Sequence, residues 1–142
     1  MRVLTLMDAY FKVGETLTIT GVPKPNAANF NVNICLSESD VALHVDPRFN
    51  HLNDIRKVIF SSRQGGTWGS KCYGQGFPFE EGKEFKISIE FKSAEFLVIL
   101  PDGSVFHFPN RLGAEIYPMI FVNGNVRITS FKINKLGISE FK

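Results

Sequence analysis

The sequence predicts an all-β fold: antiparallel strands packed as a two-sheet β-sandwich. Three observations predict it. Apolar and polar residues alternate at period two along most of the chain, no helical period competes with them, and short turn signals separate the runs. Many short strands at this spacing form a sandwich or barrel. No linker, internal repeat or low-complexity segment interrupts residues 1–142, which are expected to form a single domain. That length buries a substantial core without disulfide staples.

Taken in order, Met1 to Met7 reads as a terminal strand, and Gly21-Val22-Pro23 as the first clear turn. Phe30, Val32, Ile34 and Leu36 then share one face, against Asn31, Asn33 and Cys35 on the other. Leu43 and Val45 alternate with His44 and Asp46 before the Gly65-Gly66 turn. Ile87, Ile89 and Phe91 alternate with Ser88 and Glu90, and Phe96 to Leu100 makes a denser apolar strand. Pro101-Asp102-Gly103 marks a hairpin into the run Val105 to Phe108. After Asn123-Gly124-Asn125, Val126 and Ile128 point one way, and Phe131 and Ile133 resume one residue out of step. That shift predicts a bulge near Ser130.

Composition narrows the function classes. Hydrophobic residues make up 44 % of the chain and include 14 Phe, so a disordered segment is excluded. A net charge of +2, with only 21 % charged residues, gives no basic stripe, so no nucleic-acid partner is expected. No run of 18 apolar residues appears, so no membrane insertion is expected. The first residues lack the apolar core and small-residue cleavage site of a secretory signal. Cys35 and Cys72 are therefore expected as free thiols of a cytoplasmic protein. No cofactor or metal is expected, because His44, His51 and His107 lack metal-ligand spacing with Cys or acidic residues. Nor does a nucleophile motif accompany the His44–Asp46 pair, so the chain is not expected to be an enzyme.

The segment that carries chemistry runs from Leu43 to Phe79. In a strand, His44, Asp46 and Arg48 project together, and such a row is expected to face water or a ligand. Pro47 within that strand marks an edge or an irregular position. Gly65-Gly66-Thr67-Trp68-Gly69 then presents the single tryptophan among glycines, and a bare indole face suits the C–H face of a sugar ring.

Two stretches carry a resemblance. His44-Val45-Asp46-Pro47-Arg48-Phe49 and Trp68-Gly69-Ser70-Lys71-Cys72-Tyr73 resemble the galectin signature His-x-Asn-Pro-Arg-Phe and Trp-Gly-x-Glu-x-Arg. Phe77-Pro78-Phe79, Leu100-Pro101-Asp102-Gly103 and Phe108-Pro109-Asn110-Arg111 extend the likeness from about Val13 to Ile133. The resemblance implies a jelly-roll-like sandwich with a glycan groove on one sheet. It implies that His44 and Arg48 bond a hydroxyl of a galactose-like ring, that Trp68 stacks beneath it, and that Asp54 orients the arginine. Asp46 and Ser61 stand where the family has Asn, Lys71 where it has Glu, and Tyr73 where it has Arg.

These changes alter the hydrogen-bonding character. An ionised Asp46 accepts but cannot donate, and Lys71 donates but cannot accept. Asp46 is expected to supply the carboxylate between Arg48 and Lys71, so that the two substitutions compensate. Ser61 is expected to reach a sugar only through water, and Tyr73 to offer a second stacking surface or cover the groove. The expected function is a lectin for glycans or glycoconjugates, with weakened lactose binding and altered specificity. The alternative is a galectin-fold structural protein, of lens or packing type, that has lost sugar binding. The resemblance also implies a homodimer through the terminal strands and leaves export without a signal peptide open. The tail from Asn134 to Lys142, with Leu136, Ile138 and Phe141, is expected to cover that surface or to alter the dimer geometry.

Overall fold

The computed structural model describes residues 1–135, and among them the chain forms only strands, turns and loops. Leu136, Ile138 and Phe141, expected to cover the terminal strands, lie outside the described residues. The first half contains β1 (Arg2–Leu6), β2 (Phe11–Lys12), β3 (Glu15–Pro23), β4 (Phe30–Ser37), β5 (Asp40–His51), β6 (Asp54–Gln64), β7 (Thr67–Trp68) and β8 (Cys72–Tyr73). The second half contains β9 (Phe85–Phe91), β10 (Glu95–Ile99), β11 (Val105–Pro109), β12 (Ile116–Tyr117), β13 (Met119–Gly124) and β14 (Val126–Lys135). One sheet runs β1-β13-β4-β5-β6-β7, with β8 also paired to β6, and the facing sheet runs β11-β10-β9-β3-β14. Every pairing between them is antiparallel. No helix among the described residues is long and apolar enough to cross a membrane.

The core follows from the alternation. β3 and β9 turn Leu17, Ile19, Ile87, Ile89 and Phe91 inward from one sheet, and Phe30, Val32, Leu43, Val45 and Phe60 meet them from the other. Aromatic rings fill the space between: Phe30 stacks on Phe85 at 4.9 Å, and Phe60 lies flat on Phe106 at 4.0 Å. Phe77 and Phe79 close one end, edge-on to Phe49 and Phe30 respectively. The expected bulge occurs as a register shift between Ile128 and Ser130 opposite β3.

Two local expectations are corrected. Gly21-Val22-Pro23 is not a turn. It lies inside β3, paired with Ile128, Arg127 and Val126. The glycine is needed because a Cβ there would lie 2.9 Å from the Arg127 carbonyl oxygen. Leu36 does not join Ile34 in the core. Cys35 packs against Val41, Met119 and Phe121 in a separate cluster, the β4–β5 register shifts on both sides of it, and Leu36 is left exposed. Pro47 fits its irregular setting: the β4 ladder ends at Val32–Val45 and returns only as a single bridge between Asn29 and Arg48.

Candidate functional site

β5 lies between β4 and β6, so its outward row is flanked on both sides. Leu43 and Val45 enter the core, and His44, Asp46 and Arg48 project from the opposite face. The row is less exposed than expected: Asp46 is 2 % exposed and Arg48 8 %. These groups stay buried because they satisfy one another.

Asp46 is the hub. Its Oδ1 accepts a 2.8 Å hydrogen bond from Asn29 Nδ2, and its Oδ2 accepts one of 2.9 Å from Arg48 Nε. His44 Nε2 lies 3.7 Å from Oδ2. Burial alone would push this carboxyl up, but interactions with His44, Asn29 and Arg48 outweigh it and hold it below the usual carboxylate range.

His44 is set from behind by an amide relay. Asn33 Nδ2 donates to Asn31 Oδ1 at 2.7 Å, which turns Asn33 Oδ1 to His44 Nδ1 at 2.6 Å. An amide oxygen only accepts, so Nδ1 carries the hydrogen and Nε2 is left for the groove. The sequence placed Asn31 and Asn33 with Cys35 on one side of the strand but offered no sign that this side meets the His44 row. That information is in the strand pairing, where Asn33 lies opposite His44.

Arg48 makes a second bond, from Nη1 to Asp54 Oδ2 at 2.8 Å. Lys71 Nζ lies 3.7 Å from the same oxygen. The carboxylate between the two cations is therefore Asp54, not Asp46. The reason is reach: Asp46 is already engaged by Asn29 and Arg48 beneath the surface, whereas Asp54 stands beside Lys71. The Tyr73 hydroxyl donates to Asp54 Oδ1 at 3.1 Å, and its half-exposed ring stands beside Lys71. Burial opposes ionisation of Asp54, but the Tyr73 and Arg48 hydrogen bonds and the Lys71 charge hold its carboxyl low.

Trp68 sits on β7, opposite Arg63; the residue is 48 % exposed and its ring is 4.6 Å from the His44 ring. The glycines near it have structural duties. Gly65 and Gly66, at φ 57° and 83°, form the two-residue turn between β6 and β7. Gly69 lets Arg111 approach, since a Cβ there would lie 3.1 Å from Nη1. Arg111 then donates to the Ser70 carbonyl at 3.0 Å and to Ser62 Oγ at 3.1 Å, tying down the segment after Trp68. The sequence flagged Arg111 only as part of a family-like stretch. Ser61 lies opposite His44, but its hydroxyl turns to the Gly69 carbonyl at 3.2 Å.

Together these residues frame a groove of about 460 Å³. His44, Asp46, Arg48, Ser61, Trp68 and Lys71 line it, with Asn29, Asn31, His51, Leu52 and Ile59. Asp54 and Tyr73 are instead the support behind Arg48 and Lys71. His107, by contrast, is on β11 in the other sheet, 3.3 Å from Glu95. Among the described residues, no cluster of three His, Cys, Asp or Glu side chains is placed to hold a metal. The groove combines an exposed indole, fixed hydrogen-bond donors and buried charge, which equips it to bind a polar ligand with an apolar face.

Known proteins are similar to this chain in sequence and fold. The family model for galactoside-binding lectins matches residues 2–133, and the chain belongs to that family. It is 45 % identical to a beta-galactoside-binding lectin of Electrophorus electricus over 123 residues, covering 87 % of this chain and 91 % of the relative. It is similar to the crystal structure of a zebrafish galectin-1-L2, with a TM-score of 0.89 and 47 % identity over 92 % of this chain and 98 % of that one. A congerin II structure liganded with lactose and MES is 29 % identical, with a TM-score of 0.89, over 94 % of this chain and all of that one. The family is one of lectins and not of enzymes.

Proposed function

We propose that this chain is one carbohydrate-recognition domain that binds β-galactosides in the groove over β4, β5 and β6. The observation that carries the proposal is the pairing of half-exposed Trp68 with His44, 4.6 Å away and oriented through Asn33. An apolar sugar face rests on the indole, while His44 Nε2 and the Arg48 guanidinium meet its hydroxyls. Lactose in the congerin II relative supports the same ligand class here.

Binding of plain lactose is weak. Asp46 has both oxygens occupied by protein donors, the Ser61 hydroxyl is turned to backbone, and Lys71 offers no acceptor. Two unmatched hydroxyl partners at about 1.4 kcal/mol each would reduce affinity about a hundredfold. The retained His44, Arg48 and Trp68, arranged around an open groove, favour a lectin over a structural protein without sugar binding. The test is Trp68 emission during titration with lactose and with maltose. Saturable change with lactose alone supports the assignment, whereas identical responses would refute it.

The same proposal includes a homodimer. β1 and β14 are the edge strands of their sheets among the described residues, and each leaves one side unpaired. Val3, Val126, Ile128 and Phe131 line a shallow apolar depression of about 530 Å³ between them. Two-fold pairing of this edge would cover it. Light scattering that gives only the monomer mass at tens of micromolar would count against it.

A further inference from the structure

We infer that Lys71 makes one end of the groove selective for β-galactosides carrying an acidic substituent, sulfate or carboxylate, on the sugar next to the ring stacked on Trp68. The inference rests on the lectin proposal above and adds the class of glycan. Its ground is the vertical order of charge. The side chains of Asp46, Arg48 and Asp54 are only 3 %, 10 % and 12 % exposed, whereas that of Lys71 is 47 % exposed. The carboxylates lie underneath and the ammonium lies on top, so a ligand arriving at this rim meets a cation.

That cation has hydrogen bonds to spare. Asp54 Oδ2 is already taken by Arg48 at 2.8 Å and Oδ1 by Tyr73 at 3.1 Å. Lys71 stands 3.7 Å from Oδ2, outside hydrogen-bonding range, with three N–H donors to offer. The Tyr73 ring, 5.7 Å from Nζ, flanks it. Lys57, exposed and paired across β5–β6 with Arg48, puts another cation on the same sheet face. A neutral hydroxyl gains little from such a point charge, but an anionic oxygen forms a shorter and stronger charge-assisted bond.

Position along the groove selects the sugar. Trp68 packs beside His44 at one end of the β5 row, and Lys71 is drawn to Asp54, the partner of Arg48, at the other. His44 Nε2 and Arg48 Nε both stand at Asp46 Oδ2, 3.7 and 2.9 Å from it, so the ring on Trp68 meets both. Lys71 lies beyond Arg48, beside Asp54, where the next ring of the glycan falls. Where the galectin signature carries a glutamate, an acidic substituent would be repelled; at Lys71 the sign is reversed.

The test compares N-acetyllactosamine with the same disaccharide sulfated on the N-acetylglucosamine ring, with one sulfated on the galactose ring, and with galactosyl-glucuronic acid set against lactose. Titration calorimetry on the native protein, Lys71→Ala and Lys71→Glu gives the ratio of acidic to neutral affinity in each. The expected ratio in the native protein is about two- to fivefold in favour of acid on the second ring. It falls to about one in Lys71→Ala and in high salt, and below one in Lys71→Glu. Sulfate on the galactose ring gives no Lys71-dependent gain. A native ratio of one for both second-ring acids, or one retained in Lys71→Ala, overturns the inference and leaves the lectin proposal standing. No binding of any of these glycans overturns both.

Discussion

Asp46→Asn replaces the hub of the groove with the residue that the galectin signature carries, and the structure fixes what it should do. Asp46 accepts from Asn29 Nδ2 through one oxygen and from Arg48 Nε through the other. An asparagine supplies one oxygen and one NH2, so in either orientation one of those donors faces another donor. Leaving a buried donor unsatisfied costs about 1–3 kcal/mol. Arg48 keeps Asp54, so the loss stays below the roughly 3–5 kcal/mol of a buried charge stripped of its partner. The expected loss is about 2 kcal/mol, or a Tm lower by about 6–8 °C for a domain of this size. Acid should narrow the difference. The folded Asp46 carboxyl lies below its usual range, so its contribution is complete above about pH 4–5 and disappears as pH falls through the folded value. Thermal unfolding of both proteins between pH 7 and pH 3 measures this. A variant as stable as the native protein at pH 7, or a gap that widens in acid, would refute the hub assignment.

Further outcomes follow from single positions. Gly124→Ala should cost at least about 3 kcal/mol in urea unfolding, because φ is 107° and a Cβ would lie 2.6 Å from the Asn29 carbonyl oxygen and Phe30 Cα. Leu52→Asn should instead stabilise by about 0.5–1 kcal/mol. Leu52 and Asn53 form the β5–β6 turn at φ 48° and 70°, and this 69 % exposed leucine holds a backbone conformation that asparagine tolerates better. Alkylation under native conditions, read by mass spectrometry, should label Cys72 well before Cys35, whose thiol is fully buried and pushed up to about 12 by that burial.

Much of this was legible in the chain because strands write their faces at period two. β9 keeps Ile87, Ile89 and Phe91 inward as read, and the His44-Asp46-Arg48 row emerges on one face. The errors came where a neighbouring strand decides the outcome. Leu36 ends exposed where the β4–β5 register slips around Cys35, and no pattern internal to β4 contains that slip. Gly21 looked like a turn residue because its real reason, the Arg127 carbonyl pressing on it, is over a hundred residues away in sequence. The site shows the same division. His44, Arg48 and Trp68 were recognisable by type and spacing, but the Asn33 amide behind His44 and the Arg111 clamp on Ser70 depend on pairing across the sheet. Asp54 took the bridging role given to Asp46 because proximity to Lys71 depends on the fold of the β5–β6 hairpin, not on sequence distance.

Calorimetric titration of lactose into the native protein and into Trp68→Ala bears most directly on the groove as a weak β-galactoside site. The expected result is a one-site isotherm for the native protein with an affinity in the high micromolar to millimolar range, abolished in a Trp68→Ala variant that unfolds at nearly the native temperature. Binding that survives loss of the indole, or no heat from either protein at millimolar lactose, would contradict it.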